Sequence, residues 1–182
     1  MAEPLITADE RRASDFPIAR SIRLVLSDVD GVLTDGQLIY ESLGADVKQF
    51  HVRDGMGIKV WQRAGFSFGI ISSRSSEAVR TRATELGISH LVQGVDPKLP
   101  AVMQLLQSIG VEAQQTAYIG DDLPDLPVMR AVALAVAPAD ASADALAAAH
   151  WVTRAGGGRG AVRELIERLM RATSTWEEHA LS

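Results

Sequence analysis

From residue 22 onward, short apolar runs alternate with amphipathic stretches, and the alternation persists to residue 170. Residues 22–28, Ile-Arg-Leu-Val-Leu-Ser-Asp, predict a buried strand. Residues 37–52 carry β-branched and aromatic positions on either side of Leu43-Gly44-Ala45-Asp46, which predicts a β-hairpin with a polar turn. A helix is expected at 57–64, ended by Gly65, and a second buried strand at 66–71. The charged stretch 75–86 opens on serines and stops at Gly87, the punctuation of an amphipathic helix. A strand at 90–93, a helix at 99–109 closed by Gly110, and a strand at 116–120 follow. The remaining pattern reads as a strand at 133–136, an Ala-rich helix at 140–149, a strand at 151–153 and a last helix at 159–170.

Short, wholly apolar strands separated by helices indicate a parallel sheet covered on both faces. The expected fold is α/β: one doubly wound, mostly parallel domain over residues 21–171, with a β-hairpin inserted after the first strand. Residues 1–20, polar and carrying Pro4 and Pro17, predict a flexible arm, and 172–182 a tail. His51, His90, Trp61 and Trp151 lack any partner pattern and are expected to be structural.

Composition narrows the function classes. The 182 residues suffice for a core without staples, and the absence of cysteine excludes disulfides and thiolate chemistry. A formal net charge of −5 offers no basic footprint for nucleic acid. No apolar run approaches the roughly 18–20 residues of a membrane span, and residues 1–20 lack the apolar region of a signal peptide. A soluble, cytoplasmic, acidic domain is expected.

In a doubly wound sheet, ligands bind beyond the carboxyl ends of the strands. There the first strand presents Asp28-Val29-Asp30-Gly31-Val32-Leu33-Thr34 and the second presents Ser72-Ser73-Arg74. Lys98 opens the helix after the third strand, and the fourth ends in Gly120-Asp121-Asp122-Leu123-Pro124-Asp125. Singly, each has an ordinary reading as turn, cap or solvated charge. Together they assemble a hard oxygen site suited to Mg2+ and a phosphoryl group.

These four segments resemble the motifs of the haloacid-dehalogenase-like phosphatases, over about residues 22–170. The stretches Phe50-His51-Val52-Arg53-Asp54-Gly55, Gly120-Asp121-Asp122-Leu123-Pro124-Asp125 and Gly156-Gly157-Gly158-Arg159-Gly160 are similar to the 3-deoxy-D-manno-octulosonate (KDO) 8-phosphate phosphatases. The resemblance implies a capless haloacid-dehalogenase-like Rossmannoid fold that hydrolyses a phosphorylated sugar acid of lipopolysaccharide biosynthesis. It implies Asp28 as nucleophile, forming an aspartyl-phosphate, and Asp30 as acid and base, kept protonated by nearby carboxylates. Magnesium would bind Asp28, the Asp30 carbonyl and Asp121. Asp122 would hold metal-bound water, Asp125 would orient Lys98, and Ser72 and Lys98 would stabilise phosphoryl charge.

Arg74 is a candidate for the substrate carboxylate, with Arg53, Thr34 and Ser73 as further substrate-binding candidates. Ser73 stands where the family pattern usually has glycine. The glycine-rich stretch 156–163 reads either as a segment that folds over a site or as a plain loop. Leu38, Ile39, Tyr40, Val47 and Phe50 make the hairpin an association patch, so a homo-oligomer is expected, and the resemblance implies a homotetramer. The alternative substrate is a sialic-acid-type 9-phosphate. A non-catalytic phospho-binding or receiver-like protein is the reading from another class; a receiver would place its acids in a different order.

Overall fold

The computed structural model describes residues 15–40 and 46–180. Its main sheet has six strands: β1 (Leu24–Ser27), β4 (Ser67–Ser72), β5 (His90–Gln93), β6 (Thr116–Ile119), β7 (Leu134–Ala137) and β8 (Trp151–Val152). Their order is β5-β4-β1-β6-β7-β8, and every pairing is parallel. The helices are α1 (Val52–Arg63), α2 (Glu77–Leu86), α3 (Lys98–Ile109), α4 (Leu126–Met129), α5 (Ala143–Ala148), α6 (Ala161–Ala172) and α7 (Trp176–Ala180). The expected doubly wound α/β fold is what the chain adopts.

The period of two along each strand explains why both faces are dry. Val25, Phe68, Ile70, Ala117, Ile119, Leu134 and Val136 point to one core with α1, α2 and α6. Leu24, Leu26, Ile71, Tyr118, Ala135 and Ala137 point to the other, with α3, α4 and α5. Helix α6 carries the sharpest stripe, burying Val162, Leu165, Ile166, Leu169 and Met170 at helical spacing against α1.

Several boundaries differ from the sequence expectation. Among the described residues, only Ile39–Tyr40 (β2) and Asp46–Val47 (β3) pair as an antiparallel ribbon; of the expected turn at 43–46, Asp46 belongs to β3 and 43–45 lie outside the described residues. Helix α1 begins at Val52, five residues before the expected start, because the His51 ring Nδ1 accepts the Arg53 N–H and caps it. Gly55 and Gly57 masked this helix in the sequence, yet Gly57 is where α6 approaches, packed against Arg163. Phe50, expected to be exposed, packs against the core, and Val47 is half-buried.

The polar arm is also shorter than expected. Residues 15–19 are helical, and Asp15 is buried in a bidentate pair with Arg168, at 2.6 and 2.8 Å. A paired, buried charge needs a fixed partner, so this part of the chain is docked. In the tail, Trp176 is buried, with the Arg163 guanidinium 4.6 Å from its ring centre. Trp61 is buried with its indole N–H on the Ser67 carbonyl, and Trp151 lies under Arg168.

Candidate active site

Strand β1 lies between β4 and β6, so the chain leaves it in opposite directions and a crevice opens above its carboxyl end. Asp28 follows β1 directly, and its N–H donates to the Ile119 carbonyl, 3.0 Å away. The register sets Ser27 level with Ile70 and Ile119, so Ser72 and Asp121 rise one step above Asp28 on either side.

Lys98, the first residue of α3, is 2% exposed, and its ammonium lies 2.8 Å from Asp28 Oδ1 and 2.7 Å from Asp125 Oδ1. Burial works against that charge, but Asp28 and Asp125 outweigh it and raise its pKa. Burial pushes Asp28 up to about 6; Asp125 adds to the rise and Lys98 opposes it. Burial also lifts Asp121 to about 7, helped by Asp28, Asp125 and Asp122. The crevice therefore concentrates negative charge that a single lysine does not balance.

One carboxylate oxygen each from Asp28, Asp121 and Asp125 can be chosen so that all lie within 4.8 Å of one another. Their roles differ in kind. Asp125 is saturated: Oδ1 accepts from Lys98 and from the Tyr118 hydroxyl at 2.5 Å, while Oδ2 accepts the N–H groups of Asp121 and Asp122 at 3.0 and 3.2 Å. Four donors use up its lone pairs, so Asp125 organises the loop and is not a cation ligand. Asp121 Oδ1, by contrast, is buried with no hydrogen-bond partner. A buried carboxylate oxygen left unpaired is costly, and a hard cation removes that cost. Asp121 seats directly on Gly31, whose φ is +89°; a Cβ there would overlap the carboxylate.

Asp30 sits at the rim, one-fifth exposed, with Lys48 Nζ at 2.5 Å and Arg74 Nε at 3.7 Å. Its side-chain ion-pair partners are thus cations, not the carboxylates expected to keep it protonated. Lys48 was missed by the sequence reading. Nothing in Val47-Lys48-Gln49 shows that the hairpin folds back, yet the Lys48 side chain is 2% exposed. The Arg74 Nη2 also donates to the Tyr40 hydroxyl at 3.2 Å, so the hairpin contributes two residues to this rim.

Ser72 is buried at the end of β4, and its hydroxyl oxygen accepts the Arg74 N–H. Ser73 Oγ is buried with no hydrogen-bond partner. Asp122 is exposed and meets the cluster through its backbone N–H. Thr34 is buried, its hydroxyl donating to the Val29 carbonyl and accepting the Gly36 N–H, so it braces its own loop. Arg53 is not brought to this crevice: it lines a separate groove of about 1020 Å³ with Arg154, Arg159 and Arg163. The stretch 156–160 does not hang free, since Gly158 N–H donates to the Val32 carbonyl at 2.9 Å.

Comparison with known proteins agrees with this geometry. The sequence profile of the haloacid dehalogenase-like hydrolases matches residues 92–165. The KDO 8-phosphate phosphatase of Yersinia pestis is 45% identical over 87% of this chain and 85% of its own. A KDO 8-phosphate phosphatase from Moraxella catarrhalis, solved with magnesium, phosphate and KDO, superposes with a TM-score of 0.88 at 41% identity, covering 91% of this chain and 95% of that one. The cobalt-bound enzyme of Haemophilus influenzae gives a TM-score of 0.84 at 42% identity, over 86% and 92% of the two chains. The chain belongs to the KDO 8-phosphate phosphatase family of haloacid dehalogenase-like hydrolases.

Proposed function

We propose that this protein is a magnesium-dependent, cytoplasmic phosphatase that releases inorganic phosphate from KDO 8-phosphate during lipopolysaccharide sugar synthesis. The observation that carries the reading is Lys98, buried between Asp28 and Asp125 beside the unpartnered Asp121 oxygen. The donors are all carboxylate or carbonyl oxygens, which fits Mg2+, and the Moraxella relative holds that ion. Asp28, Asp121 and the Asp30 carbonyl would hold it. When bound, it neutralises the phosphate so that an anionic nucleophile can approach.

In this reading Asp28 attacks phosphorus in line, the bond from phosphorus to the sugar oxygen breaks, and an aspartyl-phosphate forms. Asp30 takes up a proton from solvent as the anionic substrate enters, and passes that proton to the leaving oxygen. It then takes a proton from the water that attacks phosphorus and frees Asp28. Lys98 has a third N–H and Ser72 a hydroxyl proton to place on the phosphoryl oxygens. Lys48 holds Asp30 over the bond being broken, and Arg74 takes the substrate carboxylate.

Oligomerisation fits the same picture. Leu38, Ile39, Tyr40, Val52 and Met56 are large apolar side chains between 42% and 77% exposed, on the hairpin and adjoining α1. A homotetramer joined through these faces buries them and gives the open crevice a wall. Arg53, remote from its own crevice, is then available to a neighbour's substrate.

The test is phosphate release from KDO 8-phosphate and from a sialic-acid-type 9-phosphate, each with Mg2+ and with chelator. The reading expects a kcat/KM at least about tenfold higher for the 8-phosphate, a difference of about 1.4 kcal/mol, and loss of both activities with chelator. Preference for the 9-phosphate, or activity indifferent to chelator, overturns it. The relatives matched favour the eight-carbon acid.

A further inference from the structure

Two acidic loops must keep a fixed spacing for Asp28 and Asp121 to share a cation. One follows β1 and runs through Gly31 to Thr34; the other follows β6. Besides the sheet itself, a second connection joins them. The Ser142 N–H donates to the Asp121 carbonyl at 2.8 Å, which ties the loop before α5 to the second acidic loop. Two residues earlier, Asp140 Oδ1 accepts the Gly157 N–H at 2.8 Å. The Ala139 N–H also donates to the Ala155 carbonyl, at 3.2 Å. Gly157 itself lies flat on the first acidic loop: a Cβ there would overlap the Gly31 carbonyl and crowd that of Thr34. The next N–H, from Gly158, donates to the Val32 carbonyl at 2.9 Å.

The chain of contacts is therefore continuous: Asp121, Ser142, Asp140, Gly157, Gly31. The glycines are needed because backbone meets backbone, leaving no room for a side chain. Glu164 steadies the near end of the glycine loop by accepting the N–H groups of Arg154 and Ala155, each at 3.0 Å. At its far end, Asp54 accepts the Arg163 N–H at 2.7 Å.

We propose that Asp140 and Gly157 form a clamp that fixes the distance between the two acidic loops, making Asp140 a positioning residue for magnesium. Asp140 touches neither substrate nor cation in this account; it acts through Gly157. The inference rests on the reading of Asp28 and Asp121 as the cation-holding pair. In this reading the glycine loop braces its own site.

Calorimetric titration of the metal-free protein with Mg2+ tests this without relying on turnover. Asp140→Ala frees the Gly157 N–H and is expected to weaken Mg2+ binding about tenfold, the low end for removing an outer support of a metal site. Asp140 is exposed, so the fold should survive, and far-ultraviolet circular dichroism checks that. Asp140→Asn keeps an oxygen acceptor for Gly157 and should bind Mg2+ within about twofold of the parent, a difference of about 0.4 kcal/mol. Unchanged affinity in Asp140→Ala overturns the clamp. So does equal weakening in both variants, which would show that the charge of Asp140 matters and not its bond. Asp121→Asn is the control on the underlying reading: if it still binds Mg2+ as the parent does, the cation-holding pair is wrong. If only that control weakens binding, the clamp alone fails.

Discussion

At the residue scale, the chemistry turns on how an excess of carboxylates is divided. Asp125 is consumed by four hydrogen bonds, Asp28 shares Lys98, and Asp121 is left with an unpaired oxygen. Replacing Lys98 with Ala leaves buried carboxylates facing each other and removes the proposed phosphoryl donor. Steady-state kinetics should show kcat reduced by at least about 10²-fold. The raised proton affinities of Asp28 and Asp121 also set a pH dependence. Their folded pKa values, about 6 and about 7, lie above those of unfolded aspartates, so the folded chain binds more protons at mildly acidic pH. That contribution to stability is present below the unfolded value and is lost as pH rises through about 7. Melting of the metal-free protein should therefore show Tm falling between about pH 5 and pH 8, with Mg2+ restoring more at the upper end. A metal-free Tm that rises over this interval would contradict the assignment. Asp28, Asp30, Lys98 and Asp121 were legible in the sequence because each sits at a strand or helix end whose position the apolar pattern predicts. Lys48 and Asp140 were not, because each reaches its partner across a loop whose path no local pattern encodes.

At the element scale, the alternating strands divide two cores cleanly, and the balance between them can be probed. Phe68 on β4 is 1% exposed in the core shared with α1, α2 and α6. Truncating it to Ala should cost about 3–5 kcal/mol in denaturant unfolding, while leaving the order of the sheet intact. The strands and longer helices were readable because period two and period 3.6 survive in them. Helix α1 was misread at its start because Gly55 and Gly57 imitate a break. Their reason is tertiary: α2 and α6 pack where a Cβ would stand. The hairpin was read as running too far toward residue 52, since Phe50 is apolar for the core and not for a strand face. Among the described residues its ribbon is two residues a side, and Lys48 and Tyr40 make it part of the rim. Lys48→Met should lower kcat for the sugar phosphate while leaving Mg2+ binding, measured calorimetrically, unchanged. A loss of Mg2+ affinity would place Lys48 elsewhere in the account.

At the scale of the whole molecule, the formal charge of −5 is not spread evenly in its effects. Acids gather at the strand ends, while Arg53, Arg154, Arg159 and Arg163 line a groove beside α6. Among the described residues no helix is long and apolar enough to cross a membrane. In the proposed oligomer the exposed apolar faces of the hairpin and α1 would meet a second copy. Sedimentation of the full chain should give a tetramer, and Ile39→Asp with Val52→Asp should dissociate it and relax substrate selectivity. A parent that sediments as a monomer with unchanged selectivity would contradict the shared wall. In the proposed reaction Asp28 carries the phosphoryl group during turnover. Acid quenching of the enzyme during turnover of radiolabelled KDO 8-phosphate with Mg2+, followed by peptide mapping, tests it most directly. The account predicts label on the peptide containing Asp28, absent in Asp28→Asn, which should fold normally and release no phosphate. Full phosphate release by that variant, or label on another residue, would contradict it.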